Sequence, residues 1–229
     1  MISVIIPTYN EEQNIGRLVD YLMATADPRL LREVIVVDGG STDRTAALAE
    51  AAGARVLFSP VKGRAAQMNF GAREASGRVL YFLHADTYPP ENFCLDIRKA
   101  IDQQMYFGGY RLRFDSSHWF LRLNAWFTRF DVSLFRFGDQ SLFVEKGLFE
   151  EVGGFREELS LLEDQEIIFR LRRKARFKLV PRNVITSARK YREYGVFRTQ
   201  FYFYLLYALY RLGLPQRFLV GIYKSLFKP

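Results

Sequence analysis

Arg78-Val79-Leu80-Tyr81-Phe82-Leu83-His84-Ala85-Asp86-Thr87 decides how the chain is read. Val79 to Leu83 is an unbroken apolar run, the pattern of a strand buried on both faces of a parallel sheet. It ends in His84-Ala85-Asp86-Thr87, and Pro89-Pro90 stops any further strand. In an open α/β sheet, ligands gather at the carboxyl ends of strands, and this end carries a carboxylate beside an imidazole. A hard divalent cation shared with a phosphate-bearing substrate needs oxygen ligands of this kind. Taken alone, Asp86 serves equally well as the cap of the following turn.

Upstream, Ile2 to Ile6 reads as a first buried strand, ended by Pro7. Asn10 with Gln13 three residues later predicts a helix N-terminus, with Glu11 and Glu12 at its positive end. The helix shows Ile15, Leu18, Val19, Leu22 and Met23 at i, i+3, i+4, i+7, i+8. Val34 to Val37 is a second strand that also ends in an acid, Asp38, followed by Gly39-Gly40-Ser41-Thr42-Asp43. An alanine-rich helix to Ala52, a strand from Arg55 to Phe58 and a helix opened by Lys62-Gly63-Arg64 complete a βαβαβαβ alternation. Short connections of that kind predict a mainly parallel sheet with right-handed crossovers. Asp38 and Asp86 then fall on one edge of it.

Downstream of Met105 the pattern changes. Tyr110 to Phe114 alternates like a strand, Ser117 to Phe130 is aromatic and helical, and Gly138-Asp139-Gln140 precedes the short run Leu142 to Val144. Gly153-Gly154-Phe155 predicts a loop with close backbone approach. Glu163-Asp164 opens a helix, and Phe177 to Val180 reads as a last strand stopped by Pro181. The division expected is a unit over 1–193 and a helical, aromatic and basic segment over 194–229. That segment is apolar nearly all round and must bury itself in something: its own core, a membrane surface or a second copy. Arg211, Arg217, Lys224 and Lys228 suit the role of headgroup-facing cations.

The 229 residues suit one large domain with a sizeable core. One cysteine, Cys94, excludes an internal disulfide and reads as a core residue. Two histidines and no CxxC exclude an ordinary zinc site. The chain opens directly on a strand and contains no stretch long and apolar enough to span a bilayer, so cytoplasmic residence is expected, with peripheral attachment to the inner membrane face as an option. The net charge of +8 conceals an asymmetry. Residues 170–229 hold 15 Lys or Arg and one acid, Glu193, whereas residues 1–169 hold 18 basic and 24 acidic residues. A basic tail suits nucleic acid, anionic lipid or a phosphate-bearing substrate.

In this order, Val4-Ile-Ile-Pro-Thr-Tyr-Asn-Glu-Glu12, Val37-Asp-Gly-Gly-Ser-Thr-Asp43, Gly63-Arg-Ala-Ala-Gln-Met-Asn69, His84-Ala-Asp86, Gly153-Gly-Phe155 and Glu163-Asp164 resemble a family 2 glycosyltransferase of the GT-A fold. The resemblance runs from about Ile2 to Val180, and is strongest to a small bacterial subgroup with histidine ahead of the metal carboxylate. It implies a Rossmann-like α/β fold and transfer of a sugar from a nucleotide-diphosphate-sugar, a UDP-sugar by family frequency, to an acceptor hydroxyl with inversion. Pro7, Thr8, Glu11, Asp38, Gly40, Arg64, Asn69 and Ala85 would line the donor. Asp86, with His84 beside it, would hold Mg²⁺ or Mn²⁺ on the diphosphate. Asp164, with Glu163, would provide the general base, and the helix start favours its negative charge. Asp139, Gly153, Gly154 and Arg189 would lie toward the acceptor, a lipid-linked or small phosphorylated molecule.

Each of these positions has a plainer use. Asp38 and Asp43 can serve the Gly39-Gly40 turn and a helix cap, Glu163 and Asp164 can be first-turn acids, His84 a buried hydrogen-bonded side chain, and Asp139 a loop support. The QxxRW signature of processive synthases is absent, which favours single-sugar transfer. His84 stands where the family's first metal carboxylate is usual. Three other classes compete. A sugar-phosphate nucleotidyltransferase needs a glycine-rich loop after the first strand, where Pro7-Thr-Tyr-Asn10 stands. A NAD-dependent dehydrogenase needs a GxGxxG after a strand, and none is present. A non-catalytic membrane-surface module would not need Asp38, Asp86 and Asp164 together. Nucleic-acid binding is not expected.

Overall fold

The computed structural model describes residues 1–132 and 140–227. Its eight-stranded sheet runs in the order β3-β2-β1-β4-β7-β6-β8-β5. The first half is parallel: β1 (Ile2–Thr8) lies between β2 (Leu31–Asp38) and β4 (Val79–Phe82), and β3 (Arg55–Phe58) pairs with β2. β7 (Leu142–Glu145) runs antiparallel between β4 and β6 (Phe107–Phe114). β8 (Phe177–Thr186) is parallel to β6, and the two-residue β5 (Thr87–Tyr88) closes the edge against β8. The sheet is therefore mixed, with its first half parallel.

The continuous apolar runs are explained by burial on both faces. Val4, Ile6, Val34, Val36, Val79 and Tyr81 face one core with α1 (Ile15–Thr25) and α4 (Phe93–Asp102). Ile5, Ile35, Val37, Leu80 and Phe82 face the other, with α3 (Arg64–Glu74) and α7 (Glu163–Arg172). Burying one such side chain is worth about 1.5–3 kcal/mol on either face. α3 sits so close to the sheet that a Cβ on Gly71 would come within 2.6 Å of Ile5 Cγ2. Cys94 lies in the first core, where burial pushes its thiol up to about 12, so it is inert packing.

Three local expectations change. Asn10 caps no helix: it has φ 54°, its side chain accepts from the Thr42 N–H at 2.9 Å, and α1 begins at Ile15. Glu11 and Glu12 accordingly lie in a loop, donating their backbone N–H groups to Thr45 Oγ1 and Asp43 Oδ2 across to the start of α2 (Thr45–Ala51). Pro181 does not stop β8. Tyr110 pairs with Val180 and Arg111 with Asn183, so Pro181 and Arg182 form a bulge, where the missing N–H costs nothing. The strand continues to Thr186 and reaches β5.

The 194–229 segment folds back as α9 (Val196–Arg211) and α10 (Gln216–Leu226), following the short α8 (Arg189–Tyr194). Leu206 and Leu219 are buried, and the Phe203 ring lies 6.1 Å from that of Tyr191. No helix among the described residues is long and apolar enough to cross a membrane.

Candidate active site

The carboxyl ends of β1 and β4 open into a cavity of about 650 Å³. Its floor is Pro7 and Thr8 at the end of β1 and His84-Ala85-Asp86 past the end of β4. Gln67 of α3 locks this edge, donating through Nε2 to the Thr8 carbonyl at 2.8 Å and the Val37 carbonyl at 2.7 Å. Gly39 is required there, because a Cβ would stand 2.9 Å from that same nitrogen.

One wall is the head of α7, entered through Leu162 at φ 64°. Arg64 Nη1 lies 3.3 Å from Glu163 Oε1 and 3.9 Å from Asp164 Oδ2, joining the first turns of α3 and α7. The two acids differ in access: the Glu163 side chain is 3% exposed and that of Asp164 17%. Burial, and then the neighbouring Asp164 charge, push the Glu163 carboxyl up, against the pull of Arg64 and His84. Glu163 Oε1 makes an ion contact with Arg64 but has no hydrogen-bond donor of good geometry.

The opposite wall comes from the chain after β8. Ser187 donates its N–H to the Asp86 carbonyl at 3.2 Å, which sets α8 beside Asp86. Arg189 Nη2 then reaches Glu11 Oε1 at 3.0 Å, and this bond raises the guanidinium further, with Asp86 contributing. Lys190 donates to the Tyr223 hydroxyl and sits 4.9 Å from the Tyr223 ring centroid and 5.9 Å from that of Phe203. Tyr204 and Tyr207 of α9 complete this side.

The cavity thus brings together Pro7, Thr8, Glu11, Arg64, His84, Ala85, Asp86, Glu163, Asp164 and Arg189. It does not bring Asp38, Gly40, Asn69, Gly153 or Gly154 to its lining. Asp38 is 2% exposed, and its carboxylate accepts from the N–H groups of Gly40 and Ser41 and from the Ser41 hydroxyl, so it builds the turn. Asn69 builds a second one. Its amide donates to the Phe155 carbonyl at 2.8 Å and to Glu157 at 2.9 Å, and its oxygen accepts from the Phe155 N–H. Gly154, at φ 65°, passes so close that a Cβ would meet Asn69 Oδ1 at 2.8 Å. Asp139 lies outside the described residues. Gln67, Lys62, Lys190 and the three tyrosines join the lining without having been singled out by the sequence. Gln67 and Lys190 stand inside stretches noted for their neighbours, while Tyr204 and Tyr207 sit on α9, a helix with no distinct polar face, and Tyr223 on α10.

Among the described residues, no group of three or more His, Cys, Asp and Glu side chains forms a metal cage. The donor set present, one carboxylate with an imidazole two residues earlier, fits a cation bound through one or two protein groups and completed by substrate phosphate oxygens.

The family model described as glycosyl transferase family 2 matches residues 3–156. An uncharacterized glycosyltransferase of Rickettsia typhi is 26% identical over 189 residues, covering 76% of this chain and 59% of that protein. The chain thus spans about three fifths of that relative's length. A mannosyltransferase from Pyrobaculum calidifontis, solved with GDP-Man and Mn²⁺, superposes with a TM-score of 0.72 at 19% identity, over 90% of this chain and 61% of that one. Residues 1–349 of S. aureus TarS, solved with UDP-GlcNAc, give 0.68 at 20% identity, over 81% and 58%. Fold and family agree: the chain belongs to glycosyl transferase family 2.

Proposed function

We propose that the protein transfers a single sugar from a nucleoside-diphosphate-sugar to an acceptor hydroxyl, with inversion at the anomeric carbon. The observation that carries this reading is that one cavity is shared by Asp86 at the end of β4 and Asp164 at the head of α7. The first is a group for a diphosphate-bound cation and the second a base for an incoming hydroxyl. The nucleoside would lie along Pro7, Thr8 and Glu11, with Arg64 and Gln67 on the α3 side. Asp86, with His84 near it, would hold Mg²⁺ or Mn²⁺, whose chemistry is to offset charge on the departing diphosphate.

Asp164 takes the proton of the acceptor hydroxyl onto a carboxylate oxygen. As it does, the hydroxyl oxygen bonds to the anomeric carbon, and the bond from that carbon to the diphosphate oxygen breaks. Glu163 is too buried to meet the acceptor and positions Arg64 against Asp164. Asp38 and Asn69 support the same cavity from behind, each by fixing a glycine turn. On the acceptor side, Arg189 and Lys190 among tyrosines suit a molecule carrying phosphate, either small or lipid-linked.

Neighbours of this fold carry a uridine donor in one case and a guanosine donor in another, so the test covers both. UDP, GDP and dTDP are titrated calorimetrically with and without Mn²⁺, in the wild type and in Asp86→Ala. One nucleotide should bind more tightly with Mn²⁺, and Asp86→Ala should weaken that binding at least about tenfold. A well-folded protein that binds none of the three would favour a non-catalytic surface module instead.

A further inference from the structure

We propose that the face formed by α5 (Trp119–Phe127) and the first turns of α9 is a docking surface for an anionic lipid bilayer. α5 packs inward through Leu121, Asn124 and, just beyond it, Thr128. Its outward stripe is nevertheless apolar. Trp119, Leu123, Trp126 and the following Phe130 stand at i, i+4, i+7 and i+11 and are 62%, 45%, 43% and 45% exposed. An ordinary surface helix turns such a stripe to the core. Phe197 and Phe201, one turn apart on α9 and 57% and 62% exposed, extend it. The Phe197 ring lies 4.8 Å from Phe120 and 6.2 Å from Trp119. Large exposed side chains gathered on one face mark an interaction surface, and tryptophan favours the headgroup level of a bilayer.

Charge selects the occupant. Arg122, Arg129 and Arg198 are interleaved with the aromatics, and neither α5 nor α9 contains an acid. Arg129 stacks 4.3 Å from the Trp126 ring centroid, and the neighbouring Asp131 is engaged by Arg172. A second copy on this face would set guanidinium against guanidinium with no carboxylate between, whereas phosphate headgroups complement all three. The surface also backs onto the cavity: Tyr204 of α9 lines the cavity and donates its hydroxyl to Asn124 of α5 at 3.1 Å. On the transferase reading, from which this inference takes only the acceptor, a lipid-linked hydroxyl would enter from this side.

Trp119 and Trp126 are the chain's two tryptophans, so intrinsic fluorescence reports this face alone. With phosphatidylcholine vesicles containing about 30 mol % phosphatidylglycerol, the emission should shift to the blue and be quenched by brominated acyl chains. Pure phosphatidylcholine should bind about 10²-fold more weakly, roughly fivefold for each of three arginines. Phe197→Ser with Phe201→Ser keeps both reporters and should lower partitioning at least about tenfold, with nucleotide titration as the folding control. Unshifted emission on anionic vesicles, with nucleotide binding intact, overturns this inference alone. Self-association through the same face, or undiminished vesicle binding by the double variant, overturns it equally. Wild-type protein that binds vesicles but no nucleotide supports the surface and removes the transferase reading.

Discussion

The chain before Arg170 is acidic and the chain after it strongly basic, and the structure shows that much of this contrast is internal. Arg170 pairs with Glu166, Lys174 with Glu151, Arg182 with Asp96, Arg189 with Glu11 and Arg192 with Asp115, at 2.6–3.0 Å, and Arg172 pairs with Asp131. The tail is folded onto the front half as its counter-charge. A regional excess of cations is therefore a weak pointer to an external anion. The exposed aromatics on α5 and α9 say more, and their arginines come from both halves. The exposed pairs among them, such as Lys174–Glu151 and Arg192–Asp115, add little stability, about 0–1 kcal/mol each. What they do is aim particular side chains, Arg189 above all, at the cavity.

The front half should carry the chemistry, so its largest test is Asp164→Asn. The amide keeps the shape and cannot accept the proton. Release of nucleoside diphosphate from the sugar donor should slow about 10³-fold, within the range for a lost general base, while nucleotide affinity stays within about twofold. An equal loss in affinity would mean that Asp164 holds the donor, and the division between the halves would blur.

The back half enters the cavity through Arg189. If it does more than neutralise Glu11, Arg189→Ala should slow transfer to the acceptor about tenfold while nucleoside diphosphate affinity stays within about twofold, with Arg189→Lys recovering part of the rate. A loss of nucleoside diphosphate affinity in Arg189→Ala would move this residue to the donor. Calorimetry on the same preparations separates the two.

What was legible beforehand follows from the range of each signal. β1, β2, β4 and the edge bearing Asp86 can be read because strands buried on both faces leave continuous apolar runs. Arg64 and Asp164 came from motif order, and the structure sets them in one cavity. Asp38 and Asn69 read as donor contacts because their motifs are; the turn that Asp38 closes with Gly40 and Ser41 is local and is already among its plainer uses, whereas the partner of Asn69, Phe155, lies 86 residues away and leaves no local signal. Asn10 looked like a cap because its competing partner, the Thr42 N–H, lies across the fold in another loop. Pro181 looked like a stop because a bulge is a property of two strands, not one. Tyr204 and Tyr207 have no signal, since α9 is apolar on every side and periodicity cannot say which face meets the cavity; Tyr223 reaches it from α10, whose packing against α9 a single sequence does not give.

The smallest effect tests whether the front half satisfies its own buried acid. Glu163 lies against Arg64, from the same half, and none of the tail's paired cations reaches it in the contacts above. Burial holds its proton more tightly in the folded state than the ordinary value of 4.5 in the unfolded chain. Between those two values folding takes up a proton, so stability falls as pH rises through the interval and levels off above it. Glu163→Gln cannot titrate and should remove that slope. Thermal unfolding of both proteins from about pH 4.5 upward should show the wild type losing ground to the variant and then running parallel to it. Curves that run parallel throughout would mean that Arg64 compensates the charge in full, and that the buried acid costs the fold nothing.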